Sequence, residues 1–569
     1  MPIEAAAYAN ASDAYIIWET DEIPDCLGFA IEARVNGKVF ILNNRLGFRG
    51  QPQSTGETRP ATQWLFQRYD WTHHRLAEGD VVSYRIIPVT GDADHPAADE
   101  KSASAWTPDI KVTADAGGGR RVYFNRGILL SQFIARQLKG DFSRGNLAKL
   151  KDELNGDADA LRQFLGGDIL SELKKFLSQV KDDSSLDLYA ALYELDDDEV
   201  IQLLVDIGER AHVILSNGSN KSGDGNKKAA EALDGKIDLS RRMLKSKGLG
   251  HNKFTMIYKQ DKPLKLLTGS TNWAMTGLCA QVNNMLTLDA GSPDNDAILK
   301  QYGDQWDALL AAKSDFPKDL KNDNSEIRGK ASGAWNIWFA PTFEHADLES
   351  VSAMIAKAQH SVHFLMFNPG TDGLLQPVLQ AQTDNPELLV FGVVNQLSLT
   401  KTTGSGDGKQ TVRVNLLSPE FSRSFPLEVV EPEGVHSALG PWAAEVTRRD
   451  FLGPSPQAPN IGHAIVHAKV LILDGLSDDP VVITGSHNFS KSASEKNDEN
   501  LLILRKAPEL AKKYLVEINS VYEHYRWRAF LTEHNNLVPG LDPTPDWQQK
   551  KLTKAQKDLV LLSQKTADS

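Results

Sequence analysis

Two short stretches of the chain repeat the same polar residues at the same spacing. The first reads His251-Asn252-Lys253 and then Gly269-Ser270-Thr271-Asn272, and the second reads His467-Ala468-Lys469 and then Gly485-Ser486-His487-Asn488. Sixteen positions separate Lys from Gly in both copies. A doubled set of imidazole, ammonium, hydroxyl and amide groups suits one tetrahedral anion held between two half-sites. The pattern predicts an enzyme and favours a phosphodiester as its substrate.

Each His-x-Lys motif precedes an apolar run, at residues 254–257 in the first copy and 470–473 in the second. Each Gly-Ser-x-Asn motif follows another apolar run that is predicted to be a strand. Because side chains alternate along a strand, His251 and Lys253 are predicted to lie on one face of it. The two copies therefore predict similar half-sites whose side chains can converge on one ligand.

Length and composition are those of a globular protein with more than one domain. The chain has 569 residues, which is too long for one ordinary core, so two or three domains are expected. Apolar residues make up 41% and charged residues 24%, which is typical of soluble proteins. No uncharged apolar run of about 18 residues occurs, so no membrane-spanning helix is predicted.

Cysteine count and charge exclude or disfavour several classes. Cys26 and Cys279 are too few for a disulfide framework or a cysteine metal cluster. The net charge of −13 disfavours nonspecific nucleic-acid binding by the surface as a whole, although a local groove can be basic on an acidic protein. The start, Met1-Pro2-Ile3-Glu4, lacks the basic and apolar features of a secretory leader, so we favour a cytoplasmic location.

The order of the predicted elements suggests three regions. Residues 1–115 read as short strands separated by turns, with an early Trp and a late Tyr, which favours an all-β sandwich of the immunoglobulin or fibronectin type. Residues 116–325 and 326–569 each alternate helices with strands, and each contains one motif copy. The predicted fold class is α/β, with two pseudo-symmetric α/β/α halves packed face to face and an N-terminal β-sandwich.

The doubled motif resembles the phospholipase D superfamily, whose members carry two His-x-Lys motifs in one or two chains. The likeness covers roughly residues 120–530 and includes the polar strand Asn497-Asp498-Glu499. The longer family motif has an Asp five positions after Lys, which Asp474 provides in the second copy, whereas Tyr258 occupies that position in the first. Tyrosyl-DNA phosphodiesterases of the same superfamily also lack this Asp. The resemblance implies two phospholipase-D-like halves and a phosphodiesterase without metal or other cofactor.

The predicted reaction is an in-line displacement at phosphorus by two facing histidines. One imidazole attacks to form a covalent phosphohistidine, and the other protonates the leaving alcohol. The lysines and asparagines hold the phosphate oxygens, and the serines lie near the phosphate or the opposing histidine. The predicted catalytic residues are His251, Lys253, Asn272, His467, Lys469 and Asn488, and the predicted supporting residues are Ser270, Ser486, Asp474 and Glu499. No metal is predicted, because the two lysines already supply cationic charge.

One asymmetry suggests which histidine attacks. The second copy has Glu499 where the first has Asn283. Glu499 is expected to accept a bond from His467 in its own half and to raise the pKa of that imidazole, which suits a proton donor. His251 lacks a carboxylate at the equivalent place and is expected to stay neutral. We therefore assign His251 as the nucleophile and His467 as the general acid, which family precedent also favours.

Three functions stay open at this point. The favoured one is phospholipid hydrolysis to phosphatidic acid and a head-group alcohol, with transfer to another alcohol and peripheral membrane contact as further expectations. The runner-up is a nuclease or another nucleic-acid phosphodiesterase. The third is a non-catalytic binding protein that keeps the shape of the site. Residues 395–462 are expected to form one wall of the entrance, and His487 is interpreted as a variable position of the second motif.

Overall fold

The computed structural model of the protein describes residues 2–52, 57–74, 76–129, 154, 160–218, 223–244, 248–329, 333–370, 372–394, 428–430, 466–533 and 540–548. These residues form a mixed α/β fold. Its strands lie in two large sheets, two smaller sheets near the N-terminus and a two-stranded ribbon.

Strands and helices are numbered in chain order. The strands are β1 (Glu4–Ala9), β2 (Asp13–Glu19), β3 (Gly28–Val35), β4 (Lys38–Ile41), β5 (Asn43–Asn44), β6 (Arg59–Pro60), β7 (Asp70–His74), β8 (Val81–Gly91), β9 (Pro96–Ala98), β10 (Ile110–Lys111), β11 (Arg120–Phe124), β12 (Asp187–Leu192), β13 (Ala211–Ser216), β14 (Asp238–Arg242), β15 (Lys253–Lys259), β16 (Lys262–Gly269), β17 (Asn284–Asp289), β18 (Arg328–Gly329), β19 (Trp335–Ala340), β20 (Ser361–Met366), β21 (Leu389–Val394), β22 (Glu428–Val430), β23 (Lys469–Leu473), β24 (Val481–Gly485) and β25 (Glu499–Arg505). The α-helices are α1 (Ala160–Asp182), α2 (Asp198–Ile207), α3 (Lys227–Leu233), α4 (Pro293–Ala312), α5 (Lys318–Asn324), α6 (Ala346–Ile355), α7 (Leu375–Asp384), α8 (Lys491–Lys496) and α9 (Pro508–Glu533).

The N-terminal region consists of two antiparallel sheets around an aromatic core. One sheet has the order β1-β2-β7, and the other has the order β10-β8-β3-β4 with β9 on β8. Trp18 on β2 packs edge-on against Phe29 on β3 with ring centroids 5.6 Å apart, and Tyr69 lies at the same distance from Phe29. The apolar runs of this region therefore form strands that bury large rings between them.

The end of the described chain returns to these N-terminal sheets. Trp547 stacks on Tyr69 with ring centroids 5.6 Å apart and donates its indole N–H to the carbonyl of Cys26 (2.9 Å). From α9, Lys513 Nζ donates to the carbonyl of Thr113 (2.7 Å). The N-terminal sheets are thus joined to the C-terminal part of the chain by aromatic packing and by buried hydrogen bonds.

The two large sheets have corresponding strand orders. The first is β11-β17-β16-β15-β12-β13-β14, and the second is β18-β19-β25-β24-β23-β20-β21-β22. With the short edge strand β18 set aside, every pair of neighbours has the same relative direction in both sheets: the last two pairings are parallel and the others antiparallel. On this correspondence, Lys253 lies opposite Leu192 just as Lys469 lies opposite Met366.

Apolar side chains of the two large sheets meet in one buried cluster. Met256 and Leu266 come from the first sheet, Val470 and Ile472 come from the second, and Leu510 joins them from α9. Full burial of such a side chain stabilises the fold by about 1.5–3 kcal/mol. This shared core holds the two sheets together and brings β15 and β23 into the same buried cluster.

Helical periodicity in the sequence predicts helices at 129–138, 147–180 and 547–564. Some predicted features lie outside the described residues. They are almost all of a helix expected at 129–138, the segment 395–462 apart from β22, and most of a helix expected at 547–564. Helix α1 covers the described part of the helical pattern expected at 147–180, with a kink at Gly167. No helix in the described ranges is long and apolar enough to cross a membrane.

Candidate active site

Both His-x-Lys motifs lie at the beginning of a strand. Lys253 is the first residue of β15 and Lys469 is the first residue of β23, so each histidine precedes its strand by two residues. This corrects the expectation that His251 and Lys253 lie together on one strand. Each lysine Nζ instead donates to the carbonyl of its own histidine, at 2.7 Å from Lys253 to His251.

The backbone around each histidine is held by the opposite large sheet. Gly250 forms a β-bridge with Asp498, and the backbone N–H of His251 donates to the carbonyl of Asp498 (3.0 Å). In the corresponding place, the backbone N–H of His467 donates to the carbonyl of Val282 (2.9 Å). The two motifs thus cross over, and each histidine lies beside residues that follow the other copy's Gly-Ser-x-Asn.

This crossing decides the partner of His251. Its Nδ1 lies 2.8 Å from Oε2 of Glu499, and that oxygen also accepts the hydroxyl of Ser486 (2.7 Å). The other oxygen, Oε1, accepts Nδ2 of Asn497 (3.0 Å). The sequence prediction that Glu499 pairs with His467 in its own half is wrong, because the crossing places this carboxylate against the histidine of the other half.

His467 has a neutral partner in the corresponding place. Its Nδ1 lies 2.9 Å from Oδ1 of Asn283, which also accepts the hydroxyl of Ser270 (2.8 Å). Nδ2 of Asn283 donates to the carbonyl of Gly277 (2.8 Å), which fixes the amide orientation. An amide oxygen only accepts, so Nδ1 of His467 carries the proton.

The two imidazoles are almost fully buried, His251 at 4% and His467 at 5% exposure. Burial lowers the pKa of His251 to about 4, although the Glu499 carboxylate opposes the shift. Burial also lowers the pKa of His467, and here the charges of both lysines add to it. Burial alone would raise the Glu499 pKa, but the bond from His251 brings it below its ordinary value. The resting pair is therefore a neutral imidazole that donates Nδ1–H to a carboxylate, which leaves Nε2 available to react.

The two lysines lie in a site where burial disfavours their charged form. Burial lowers the pKa of Lys253 to about 7, with Glu499 and Glu194 opposing. Burial also lowers the pKa of Lys469 well below its ordinary value, and the charge of Lys253 adds to this shift. A bound anion between them would raise both pKa values, because an opposite charge stabilises the ammonium form. The site is therefore arranged to become fully charged when an anion occupies it.

An aromatic ring backs each His and Lys pair. Tyr193 lies edge-on to His251 with ring centroids 4.6 Å apart, and Lys253 Nζ is 4.8 Å from the same ring. Phe367 lies 4.8 Å from His467 and 4.7 Å from Lys469 Nζ. Sequence reasoning missed both rings; the signal was the aromatic residue directly after β12 and β20, the strands that pair with β15 and β23.

The two asparagines of the motifs are held differently. Nδ2 of Asn272 donates to Oε2 of Glu194, a half-buried carboxylate that the sequence analysis did not anticipate. A carboxylate cannot donate to the amide oxygen, so this bond fixes which end of Asn272 is the donor. Asn488, unlike the buried Asn272, is half-buried, and it lies between His487 and Phe489.

Asp474 does not reach the site. It follows the far end of β23 in a left-handed backbone conformation, and its carboxylate accepts the backbone N–H groups of Gln359, His360 and Ser361. Its expected supporting role is replaced by a structural one, which is to join the end of β23 to the beginning of β20. Tyr258, at the corresponding place in the first copy, packs against Tyr189 with ring centroids 4.7 Å apart.

Seven of the remaining nine predicted site residues lie in one hydrogen-bonded or electrostatic network: the two histidines, the two lysines, the two serines and Glu499. The turns that carry Asn272 and Asn488 flank this network. In the described ranges, no group of three or more His, Cys, Asp or Glu side chains is placed to hold a metal ion.

The family described as "Cardiolipin synthase, PLD-like domain" matches residues 412–522, which include the whole second motif and Glu499. The first motif repeats these residues at the same spacing, and its histidine is bonded to that Glu499. Residues 412–522 thus match the phospholipase D superfamily, which confirms the superfamily prediction for this part of the chain. Phospholipase D superfamily proteins are phosphodiesterases and transferases.

Solved structures from this superfamily have partial similarity to the chain. One is Nuc, a phospholipase D family member from Salmonella typhimurium (19% identity, 34% of this chain and 93% of that chain, TM-score 0.21). Another is the yeast tyrosyl-DNA phosphodiesterase (11% identity, 58% of this chain and 88% of that chain, TM-score 0.32). A third is the phosphatidylserine synthase of Haemophilus influenzae (14% identity, 69% of this chain and 93% of that chain, TM-score 0.38). Likeness at this level does not identify a substrate. A comparison with curated proteins gives no match.

Proposed function

We propose that the chain is a phospholipase-D-like phosphodiesterase that hydrolyses phospholipids through a covalent phosphohistidine and can transfer the phosphatidyl group to another alcohol. The observation that carries the proposal is the crossed pairing of the two imidazoles. Each donates Nδ1–H to a residue of the opposite half, at 2.8 Å to Glu499 and 2.9 Å to Asn283. Each histidine is thereby left with Nε2 for chemistry, within electrostatic range of the other ring.

In the first step His251 Nε2 attacks phosphorus, so a P–N bond forms and the P–O bond to the head group breaks. His467, protonated at Nε2 when the anion is bound, gives that proton to the departing oxygen. In the second step a water or an alcohol attacks phosphorus from the side opposite His251. His467 Nε2 takes the proton of that water or alcohol, and the P–N bond breaks. The histidines are restored and the phosphatidyl group leaves on the acceptor oxygen.

The difference between Glu499 and Asn283 supports this assignment of roles. An imidazole that bonds to phosphorus becomes positively charged, and the Glu499 carboxylate at its Nδ1 stabilises that charge. The Asn283 amide is neutral and stabilises an imidazolium less, so His467 is the more acidic ring and gives up its proton more readily. His251 remains the nucleophile and His467 the acid, but for the opposite electrostatic reason to the one expected from sequence.

The other motif residues fit supporting roles at the phosphate. The ammonium groups of Lys253 and Lys469 stabilise the negative charge that increases on the phosphoryl oxygens. The free N–H of the Asn272 amide and the Asn488 amide donate to the same oxygens. Ser270 and Ser486 act indirectly, because each donates its hydroxyl to the residue that accepts a hydrogen bond from an imidazole.

We further propose three domains, an accessory β domain at 1–115 and phospholipase-D-like halves at 116–325 and 326–569. The corresponding strand orders of the two large sheets support a pseudo-symmetric pair of halves packed face to face. The two antiparallel N-terminal sheets with their Trp18 core support an immunoglobulin- or fibronectin-like sandwich. Because residues 540–548 pack on these sheets, we assign the β domain a structural role at an interface rather than a catalytic one.

A phospholipid is favoured over a nucleic acid by the charge near the site. Glu194 brings a half-buried carboxylate to Asn272, and the chain as a whole is acidic. Both features are unfavourable to a polyanionic strand, which brings a phosphate at every nucleotide. A phospholipid brings a single phosphodiester to the two lysines.

The test is to incubate the protein with phosphatidylcholine in mixed micelles and, separately, with single-stranded DNA, each with and without a chelator. Phosphatidic acid release that the chelator does not affect, and its loss in His251→Ala, are the expected results. A matched His363→Ala variant changes a buried histidine outside the site, and it reports any general effect of removing a buried imidazole. Cleavage of DNA alone would replace the phospholipid by a nucleic acid, and no cleavage of either by folded protein would favour a binding protein.

A further inference from the structure

His487 is a buried side chain in the second motif to which the proposed reaction gives no role. The residue is 1% exposed, and its Nδ1 accepts the backbone N–H of Phe489 at 2.9 Å. This bond spans Asn488, so the imidazole closes a turn around the asparagine that is proposed to hold the phosphate. An accepting Nδ1 carries no proton, and the ring proton must be on Nε2.

The turn needs a restraint of this kind. Phe489 has a φ of 59°, which lies in the left-handed region. A non-glycine residue in this region costs of order 1–3 kcal/mol unless its surroundings hold it there. Trp273, at the corresponding place in the first motif, is not among the residues with positive φ. The strain, and the imidazole that holds it, are therefore features of the second motif.

Asp347 fixes the tautomer of His487. Its Oδ2 lies at an ion-pair distance of 3.1 Å from Nε2 of His487 without the geometry of a hydrogen bond, and neither of these two buried atoms has a hydrogen-bond partner. The other oxygen, Oδ1, is occupied by the hydroxyls of Thr342 (3.0 Å) and Ser494 and by the backbone N–H of Leu348 (2.9 Å). Burial raises the Asp347 pKa, but the contact with His487 brings it below its ordinary value. An ionised carboxylate only accepts, so it selects the Nε2–H tautomer.

The first motif has no such arrangement. Thr271 takes the place of His487, and its hydroxyl donates to the carbonyl of Asn284 (3.0 Å). A threonine has no tautomers, whereas the imidazole held between a backbone N–H and a carboxylate has two. The second half-site therefore depends on a proton position and the first does not.

We propose that Asp347 and His487 form a positioning pair for Asn488, in which Asp347 keeps His487 Nδ1 unprotonated so that this nitrogen can hold the turn that presents Asn488 to the phosphate. Neither side chain touches the substrate. The role of Asn488 at the phosphate rests on the proposed phosphodiesterase function. The tautomer of His487 does not, and it can be measured without turnover.

The decisive variant is Asp347→Asn, which keeps the size and the Oδ1 bonds but places an N–H opposite Nε2 of His487. Two donors cannot face each other, so the ring is expected to move its proton to Nδ1 and to lose the bond to Phe489. In ¹⁵N-histidine NMR spectra, His487 should change from the Nε2–H to the Nδ1–H pattern. Orthovanadate affinity, measured by calorimetry, and kcat/KM on bis(p-nitrophenyl) phosphate should each fall about 10- to 100-fold.

Two further variants separate positioning from stability. Thr342→Val is the matched control, since it also removes one buried polar partner of Asp347 but leaves Oδ2 and the tautomer unchanged; its kcat/KM should stay within about twofold of wild type. His487→Asn keeps a short acceptor for the Phe489 N–H and should recover most of the activity that His487→Ala loses.

The inference is overturned if Asp347→Asn leaves the tautomer unchanged, or changes it while vanadate affinity stays at the level of Thr342→Val. It is also overturned if His487→Asn and His487→Ala are equally impaired. A wild-type protein that cleaves no phosphodiester would instead refute the proposed function, while the NMR and vanadate measurements would still decide the role of the pair.

Discussion

The two half-sites have the same frame but different chemistry. In each, a histidine precedes a strand, donates Nδ1–H across to the other half, and lies against an aromatic ring. In one the acceptor is the Glu499 carboxylate, and in the other it is the Asn283 amide. In the proposed reaction, this single difference in charge separates the imidazole that bonds to phosphorus from the imidazole that moves a proton.

The half-sites also differ in how they hold their asparagines. Asn272 is oriented directly by the Glu194 carboxylate, whereas Asn488 depends on an imidazole whose tautomer Asp347 selects. The comparison teaches that a duplicated backbone frame can persist while the side chains that complete it are replaced independently. Each difference can be tested by changing one half and using the other as its reference.

Among variants that compare the two halves, His251→Ala and His467→Ala should differ most in kcat/KM. His251→Ala should lower kcat/KM by about 10⁴-fold or more on every diester, because no phosphohistidine can form. His467→Ala should lose about 10²–10⁴-fold on phosphatidylcholine but much less on a p-nitrophenyl diester, whose leaving group needs no proton. Rates on the two substrates are the measurement.

Mass spectrometry of the acid-sensitive phosphopeptide provides the check on this first prediction. In His467→Ala, the phosphoryl group should accumulate on His251, because the second step, in which water or an alcohol attacks the phosphohistidine, also needs His467. A phosphoryl group on His467 in the wild-type protein, or equal losses for both variants on both substrates, would reverse the assignment of roles.

The second prediction concerns Glu499→Gln, which keeps a hydrogen-bond acceptor for His251 and removes the charge. We expect kcat/KM to fall about 10²-fold, because charge on the attacking ring is no longer compensated. Glu499 raises the His251 pKa, so its loss should move the acidic limb of the kcat/KM profile, near pH 4 in the wild type, to lower pH. Unchanged kcat/KM in Glu499→Gln would show that the carboxylate does not distinguish the halves. Asn283→Asp is the reciprocal change and should raise the pKa of His467.

A third prediction uses the lowered pKa of Lys253. At pH 8.5 a lysine with a pKa of about 7 is mostly neutral in the free protein, and a bound anion should restore its charge. Binding of orthovanadate should therefore take up protons, which calorimetry in two buffers of different ionisation enthalpy can count. Lys253→Met should take up fewer protons than the wild type, and equal uptake would mean that Lys253 is already charged.

The smallest effect on activity is expected from Asp474→Asn. Its carboxylate caps backbone N–H groups away from the site, so the change should lower the free energy of unfolding by about 1–2 kcal/mol and leave kcat/KM unchanged. Urea unfolding and turnover on the same preparation are the measurements. A marked loss of kcat without a loss of stability would place Asp474 in the reaction after all.

Local patterns identified the motif residues, but not their partners. The spacing of His-x-Lys and Gly-Ser-x-Asn is a local property, and so are the apolar runs that became β12, β15, β20 and β23. The aromatic rings after β12 and β20 could have been found from the same strand alignment. Glu194 and Asp347 could not, because nothing in their neighbourhoods along the chain points to Asn272 or His487.

The amino-acid sequence is enough to show two equivalent sets of imidazole, ammonium, hydroxyl and amide groups, because these sets occur at fixed spacing on short stretches of chain. The pairing of Glu499 with His251 and not with His467 depends on the fold. The reason is that the two sheets share one apolar core, and their β-bridges bring residues about 250 positions apart in the chain into hydrogen-bond distance. Which ring faces a charge follows from that crossing and from no local pattern.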